Sequence, residues 1–384
     1  MKPLRIAFIA DRFGRRFGGA EAYGVSLMRE LSQRHQVTVF AREYDGDCGV
    51  SLPWERMPGW RAWPSWIRVL FTARLAARLT RSGFDIVHSH SNGWAGDVEV
   101  VHVTPVRYNW RCRTLPAGRR LASVLSPRVQ AYLWLEARRL ARRPAHATVA
   151  VSGLIADQLR RAYGADLPLA VIAPGVDLPG PGADGTRAAT RAQLGVGDDG
   201  VLAILVARNP LRKGLETAVQ AWQHLPSHVH LLVVGSDAAA EQAIRALPGH
   251  AAVADRLHLA GVCSDVSPWY RAADLCIHPT RNDSFGMAPL EAMAFGLPVI
   301  VSAAPHCGFA AELTDGKDAL LLPTPTDAHA LAAAIVRVLD DAGLRARLVA
   351  GGQMQARARA WPVVAAQYER LYAGLMAQRA ADTD

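Results

Sequence analysis

Residues 201–235 read VLAILVARNPLRKGLETAVQAWQHLPSHVHLLVVG. VLAILVA at 201–207 and VHLLVVG at 229–235 are short apolar, β-branched runs, and the residues near 213–224 between them carry helical periodicity. Strand, helix, strand with continuously apolar strands predicts a parallel sheet covered by helices on both faces. Toward the C terminus the same grammar predicts strands at 256–261, 274–279, 297–302 and 319–323. Helices are expected near 238–247, 265–272 and 286–296, with helical segments continuing to about 378. Toward the N terminus it predicts strands at 4–10, 37–40, 85–90, 98–104, 146–151 and 169–175, and a helix over about 19–34. The stretch LPGPGADGT at 178–186 is dense in proline and glycine and reads as a linker. The expected fold class is therefore α/β, with two doubly wound Rossmann-like domains, residues 1–177 and 178–360, facing a cleft. In such sheets ligands sit beyond the carboxyl ends of the strands.

The chain has 384 residues, half of them apolar and a fifth charged, which excludes a disordered or fibrous protein. Its net charge is +9, from 43 Lys+Arg against 34 Asp+Glu, and points to an anionic partner. Only three of those cations are lysines: Lys2, Lys213 and Lys317. The first apolar stretch is five residues long before Asp11 and Arg12, too short for a signal peptide, and no apolar run is long enough to span a bilayer. Five scattered cysteines with no CxxC spacing give neither a disulfide framework nor a zinc site. A cytoplasmic enzyme is the expectation.

Three apparent signals lack their context. Gly195, Gly197 and Gly200 spell GxGxxG but precede a strand instead of following one, so they read as a turn. Asp45-Gly46-Asp47 has the DxD form that can hold a metal on a sugar nucleotide, yet Asp and Gly are also turn formers, and a solvated loop is the simpler reading. His88 and His90 point to one face of a strand with no carboxylate or cysteine beside them in sequence, which is a poor metal set.

Three other segments suit a nucleoside diphosphate. Arg208-Asn-Pro-Leu-Arg-Lys213-Gly214 places cations after a strand and before a helix, where a pyrophosphate is favoured; a solvated loop is the competing reading. In 279-PTRNDSFGMAPLEAMAFGLPVIVS-302, Gly286 gives the backbone room and a helix follows, with Glu291 eight residues after Asp283. Two such carboxylates could bridge a sugar ring and a ribose, or could belong to an ordinary buried helix with an acidic cap. Gly18-Gly19 in RRFGGAE forms the turn between the first strand and the first helix.

The ordered set FGGAE (17–21), VHVT (101–104), VSGLIADQL (151–159), VIAPGVD (171–177), ARNPLRKG (207–214), AGVCSDVSPWYRAADLCIHPT (260–280) and DSFGMAPLEAMAFGLPVI (283–300) resembles the retaining family-four glycosyltransferases of the GT-B fold. The likeness runs almost end to end, and the HPTRN and RKG segments are similar to those of lipopolysaccharide-core glucosyltransferases. The resemblance implies Arg208 and Lys213 on the donor diphosphate, Glu291 on the ribose hydroxyls, and the amides of Phe285, Gly286, Met287 and Ala288 on the donor sugar and phosphate. It implies Val262 beside the base, Gly18 and Gly19 over the phosphates, His102 at the transferred sugar, and a last helix from about Trp361, residues 361–384, crossing back to the first domain. Two departures stand out: the first acid of the family's glutamate pair is Asp283, one methylene shorter, and Val103 follows His102 where an acidic residue is frequent.

The activity implied is transfer of a hexose from a nucleotide sugar, UDP-glucose or similar, to a lipid-linked saccharide such as lipopolysaccharide core. It would proceed with retention and without a metal or other cofactor. A nucleotide-sugar epimerase and a catalytically silent nucleotide-sugar-binding protein are the alternatives. Between Pro105 and Arg143 lie ten arginines and one acid, Glu136, with Tyr108, Trp110, Tyr132 and Trp134 among them. Ser126-Pro127 is a helix start, and this basic, aromatic region suits an anionic inner leaflet or a phosphorylated lipid acceptor. Arginine with aromatics also suits single-stranded nucleic acid, although no nucleic acid is expected, and a solvated helix is the plain alternative. Trp60, Trp63 and Trp66 form a second cluster that reads as core or as a further contact.

Overall fold

The structure is a computed structural model that describes residues 2–59, 63–180 and 185–382. The chain forms two compact units, Met1–Gly175 together with Trp361–Asp384, and Val176–Ala360. Trp60 and residues 181–184 of the expected linker lie outside the described residues.

In the first unit the strands are β1 (Arg5–Ile9), β2 (Arg12–Phe13), β3 (Gln36–Ala41), β4 (Glu43–Tyr44), β5 (Trp54–Arg56), β6 (Ile86–Ser89), β7 (Val98–Val101), β8 (Ala147–Ala150) and β9 (Leu169–Val171). Seven of them make a parallel sheet in the order β5-β3-β1-β6-β7-β8-β9, while β2 and β4 pair separately. The order reverses beside β1, as expected of a doubly wound sheet. Its helices are α1 (Gly19–Leu31), α2 (Ser65–Leu79), α3 (Ala117–Leu125), α4 (Pro127–Arg139) and α5 (Gly153–Tyr163). Helix α4 starts where the sequence signals it: Ser126 caps the amide of Val129, and Pro127 occupies the first turn, where its missing N–H costs nothing.

The second unit opens with α6 (Thr186–Gln193), so the proline- and glycine-rich stretch gives way to helix at once. Its strands are β10 (Val201–Val206), β11 (Val229–Val234), β12 (Leu257–Leu259), β13 (Leu275–His278), β14 (Val299–Ser302) and β15 (Leu320–Leu322), all parallel in the order β12-β11-β10-β13-β14-β15. Helices α7 (Leu215–Trp222), α8 (Ala238–Arg245), α9 (Ser267–Ala272), α10 (Met287–Ala294), α11 (Ala328–Asp340) and α12 (Ala342–Ala358) complete it. The central pair, β10 and β13, is buried along nearly its whole length, as its lack of apolar–polar alternation requires. Gly195 ends α6 with a φ of +67°, so the GxGxxG at 195–200 is a turn that leads into β10.

From Trp361 to Ala381 the chain forms α13, whose Trp361, Val364, Tyr368 and Tyr372 are buried in the core of the first unit. Tyr368 Oη lies 2.7 Å from Tyr23 Oη of α1, so a tail more than 300 residues away in sequence fixes the first helix of that unit.

A lysine–aspartate–histidine knot at the edge of the second sheet

Beyond the carboxyl end of β10 the chain turns tightly: Lys213 N donates to Pro210 O at 3.0 Å, and Arg212 N donates to Asn209 Oδ1 at 3.2 Å. Gly214 caps α7 with a φ of +86°, and a Cβ there would lie 1.9 Å from the carbonyl oxygen of Pro279. The loop after β10 is thereby pressed onto the loop after β13, and only glycine permits that approach.

The contact brings Lys213 and Asp283 together. Lys213 Nζ is 2.5 Å from Asp283 Oδ2, and His278 Nε2 donates to the same oxygen at 2.9 Å. Burial alone would raise the Asp283 carboxyl. The hydrogen bond from His278 and the Lys213 ammonium outweigh burial and hold the carboxyl well below the usual carboxylate range. The main chain of Asp283 is clamped as well: its N–H donates to His306 O at 2.7 Å, and its carbonyl accepts from Gly308 N at 3.0 Å. Two residues on, Phe309 N and Cys307 Sγ both donate to Phe285 O, at 2.7 and 3.0 Å. Gly286 follows with a φ of +114°, and a Cβ there would come within 2.6 Å of Cys307 Sγ.

Helix α10 begins directly after Gly286, and its early amides at Met287 and Ala288 have no intrahelical acceptor; Pro289 has no amide hydrogen to offer. Glu291 lies further along α10 and accepts from the hydroxyl of buried Tyr270 at 2.9 Å; that hydroxyl also reaches Ala288 O at 3.3 Å. Burial first, and then the Glu291 charge, push the Tyr270 phenol far above its ordinary value, so it stays a donor. Arg208 is exposed just past β10, and Val262 follows β12 with 59 % of its surface exposed. Arg208, Lys213, Asp283, the 285–288 segment, Glu291 and Val262 therefore all belong to the loops and helix starts that follow strands of one sheet.

Gly18, Gly19 and His102 belong to the first unit. Gly18 caps α1 with a φ of +152°, whereas a Cβ on Gly19 would meet nothing within 4 Å. His102 stacks edge-on against His90 at 4.4 Å and against Tyr23 at 5.1 Å. His90 Nε2 is 3.0 Å from His88 Nε2, and His88 Nδ1 contacts Tyr372 Oη at 2.5 Å. Burial above all pushes His88 and His102 down to about 3 and His90 well below its ordinary value, and the Arg139 guanidinium adds to it at His90 and His102. All three are neutral imidazoles at physiological pH. Asp45 of the DGD sequence is buried, accepts Cys48 N on its carbonyl at 3.2 Å and lies 3.6 Å from Arg16 Nε, so it serves a turn.

The arginine-rich region is less uniformly solvated than its composition suggests. Arg139 is buried, 3.1 Å from Glu99 Oε2, and Arg143 donates to the carbonyl oxygens of Trp94 and Gly96. Arg138 lies over the rings of Trp94 and Trp134. Helix α3, which the sequence reading did not include, carries exposed Arg119 and Arg120 together with Leu121, Val124 and Leu125, the last 70 % exposed. His278, Tyr270 and the 306–309 clamp were also missing from the sequence reading. His278 looks like the end of an apolar strand, Tyr270 like core, and the clamp lies more than 20 residues from the loop that it holds.

Residues 17–179 match the sequence family described as Glycosyltransferase Family 4, and residues 201–341 match the family described as Glycosyl transferases group 1. A D-inositol 3-phosphate glycosyltransferase of Xylanimonas cellulosilytica is 33 % identical over 337 residues, covering 81 % of this chain and 78 % of that protein. Another of that name, from Acidothermus cellulolyticus, is 30 % identical over 433 residues, covering 98 % and 89 %. Among solved structures, WaaG, a glycosyltransferase involved in lipopolysaccharide biosynthesis, superposes with a TM-score of 0.79 at 19 % identity over 94 % of this chain and 98 % of its own. Anabaena HepE in complex with UDP-glucose superposes with a TM-score of 0.74 at 19 % identity over 97 % and 100 %. Two parallel α/β units of this topology, matched over nearly their full length by glycosyltransferases in both sequence and fold, place the chain in the family-four, group 1 glycosyltransferases of the GT-B fold.

Proposed function

We propose that this glycosyltransferase takes a hexose from a UDP-linked donor and passes it, with retention and without a divalent metal, to a lipid-linked saccharide of the lipopolysaccharide-core type. The observation that carries the donor half is the Lys213–Asp283 pair of 2.5 Å, which holds an ammonium beyond the carboxyl end of a parallel sheet, where phosphates bind. Anabaena HepE has been solved with UDP and with UDP-glucose, which supports a uridine donor. WaaG, described as acting in lipopolysaccharide biosynthesis, supports the acceptor class.

On this reading Lys213 and Arg208 bind the diphosphate, the 285–288 amides hold phosphate and sugar, Glu291 takes the ribose hydroxyls, and Val262 lies beside the base. The acceptor hydroxyl attacks the anomeric carbon from the side that the nucleotide leaves. The bond from that carbon to the β-phosphate oxygen breaks, the new glycosidic bond forms, and the departing phosphate oxygen takes the hydroxyl proton. The charge that develops on the β-phosphate is what Lys213, Arg208 and the start of α10 stabilise.

The exposed Leu121, Val124 and Leu125 of α3 recur at helical spacing beside Arg119, Arg120 and Arg128, which supports peripheral binding to an anionic membrane where a lipid acceptor is embedded. The names of the bacterial relatives favour a second acceptor, a phosphorylated cyclitol, with the same donor chemistry. Incubation of labelled UDP-sugars with core glycolipid, with inositol phosphate and with neither, in the presence and absence of EDTA, separates these readings. Product with glycolipid alone, retained anomeric configuration and indifference to EDTA are expected; epimerised donor in the acceptor-free reaction, or no turnover of any donor, overturns the proposal.

A further inference from the structure

We propose that His278 is a positioning residue for the phosphate-binding lysine: by donating its Nε2–H to Asp283 Oδ2 it fixes the carboxylate that aims the Lys213 ammonium. The inference rests on the reading of Lys213 as a diphosphate ligand. A lysine head group on a four-carbon stem is poorly preorganised, and whatever anchors it lowers the entropy lost when it engages a phosphate. Here the anchor is Asp283, and both of its close contacts fall on one oxygen, Oδ2.

An aspartate held only by the lysine could turn about its side-chain bonds together with it. The second donor prevents this, because the imidazole itself cannot move: His278 is the last residue of β13, its side chain is 2 % exposed, and β13 lies between β10 and β14. The ring has a cost that identifies its use. Nδ1 is buried and makes no hydrogen bond, so an apolar side chain of similar size would be better satisfied at this position. What the imidazole adds over leucine or phenylalanine is the Nε2–H on Asp283. The main-chain clamp at 306–308 holds the same residue from its other side, so the carboxylate is fixed at backbone and head group alike.

The test is calorimetric titration of the full chain with UDP, GDP and ADP and with the matching nucleoside of whichever diphosphate binds. His278→Phe is expected to weaken the diphosphate by about tenfold, as for loss of one charge-assisted hydrogen bond, and to leave the nucleoside unchanged. His278→Gln, whose Nε2 can reach the position of the imidazole Nε2, should restore most of the affinity. In a Lys213→Ala background His278→Phe should add nothing further. Should His278→Phe fail to fold, His278→Asn, polar but too short to reach Asp283, replaces it with the same expectations. Unchanged diphosphate affinity, equal weakening of diphosphate and nucleoside, or full additivity with Lys213→Ala overturns the proposal. A wild-type chain that binds none of the three diphosphates overturns the donor reading itself, which is a separate outcome.

Discussion

The residues at and beyond the carboxyl ends of the strands in the two sheets solve opposite electrostatic problems. In the second unit Lys213 and Asp283 remain charged, paired and part-exposed, and they are held by His278 and by a backbone clamp. In the first unit His88, His90 and His102 are packed with Tyr23, Tyr368 and Tyr372, and burial has stripped the imidazoles of charge. A fixed charge attracts an anion, whereas a neutral ring cluster offers shape and apolar contact. The same α/β architecture thus supports one edge suited to a phosphate and one whose histidines supply no positive charge.

The sharpest way to break this comparison is Lys213→Ala. Removing a preorganised cation from a developing phosphate charge should lower kcat by ~10²–10³. The melting temperature should fall by a few degrees while the cooperative transition persists, because the largely buried Asp283 carboxylate keeps His278 as a donor but loses its ion-pair partner. Steady-state kinetics beside a thermal melt checks both halves, and near-normal turnover would remove the functional meaning of the charged edge.

Acidification tests the other edge. His88 and His102 have folded pKa values of about 3, below the ordinary ~6.5, so the unfolded chain binds protons first as the pH falls. Stability is complete above pH ~6.5 and declines from there toward about 3. Urea denaturation at pH 7, 6 and 5 should show this slope, and His102→Gln should flatten it. If the variant and the parent chain lose stability in parallel, the neutral-cluster argument is wrong.

Much of this architecture was legible in the sequence. The apolar runs at 201–207 and 229–235 became β10 and β11, and Ser126-Pro127 opened α4. Interior parallel strands and capped helices carry their signals locally, within a few residues. What could not be read was nonlocal or weakly marked. Helix α3 carries Leu121, Val124 and Leu125 at helical spacing but is only nine residues long and has no side-chain cap at its start, so little in the local sequence marks where it begins, and the strand expected over 98–104 stops at Val101, before His102 joins the ring cluster. For the site, Lys213, Asp283, Gly286 and Glu291 could be singled out from spacing and chemistry. That Asp283 is held by His278 and Lys213 on one oxygen depends on Gly214 meeting Pro279 and on the loop at 306–309, contacts that no local pattern encodes.

The finest version of the comparison uses one atom from each unit. Tyr270 Oη donates to Glu291 at 2.9 Å, and Tyr23 Oη lies 2.7 Å from Tyr368 Oη; both phenols are buried. Tyr270→Phe leaves the ring stacked 5.2 Å from Phe295, so packing persists while the carboxylate loses a donor that orients it. If Glu291 reads the ribose as proposed, donor KM should rise several-fold, less than the full worth of one hydrogen bond to a charged group because Tyr270 acts only through Glu291, while kcat changes less. Tyr23→Phe removes a hydrogen bond of similar length that serves only to join α1 to α13. It should cost about 1 kcal/mol of stability and leave donor KM unchanged. Because the two substitutions delete the same atom type from equally buried rings, their difference isolates what the Glu291 contact does for the donor. A donor KM that moves equally in both variants, or in neither, would separate Glu291 from the ribose and leave the Tyr270 hydrogen bond as a packing detail of α9 and α10.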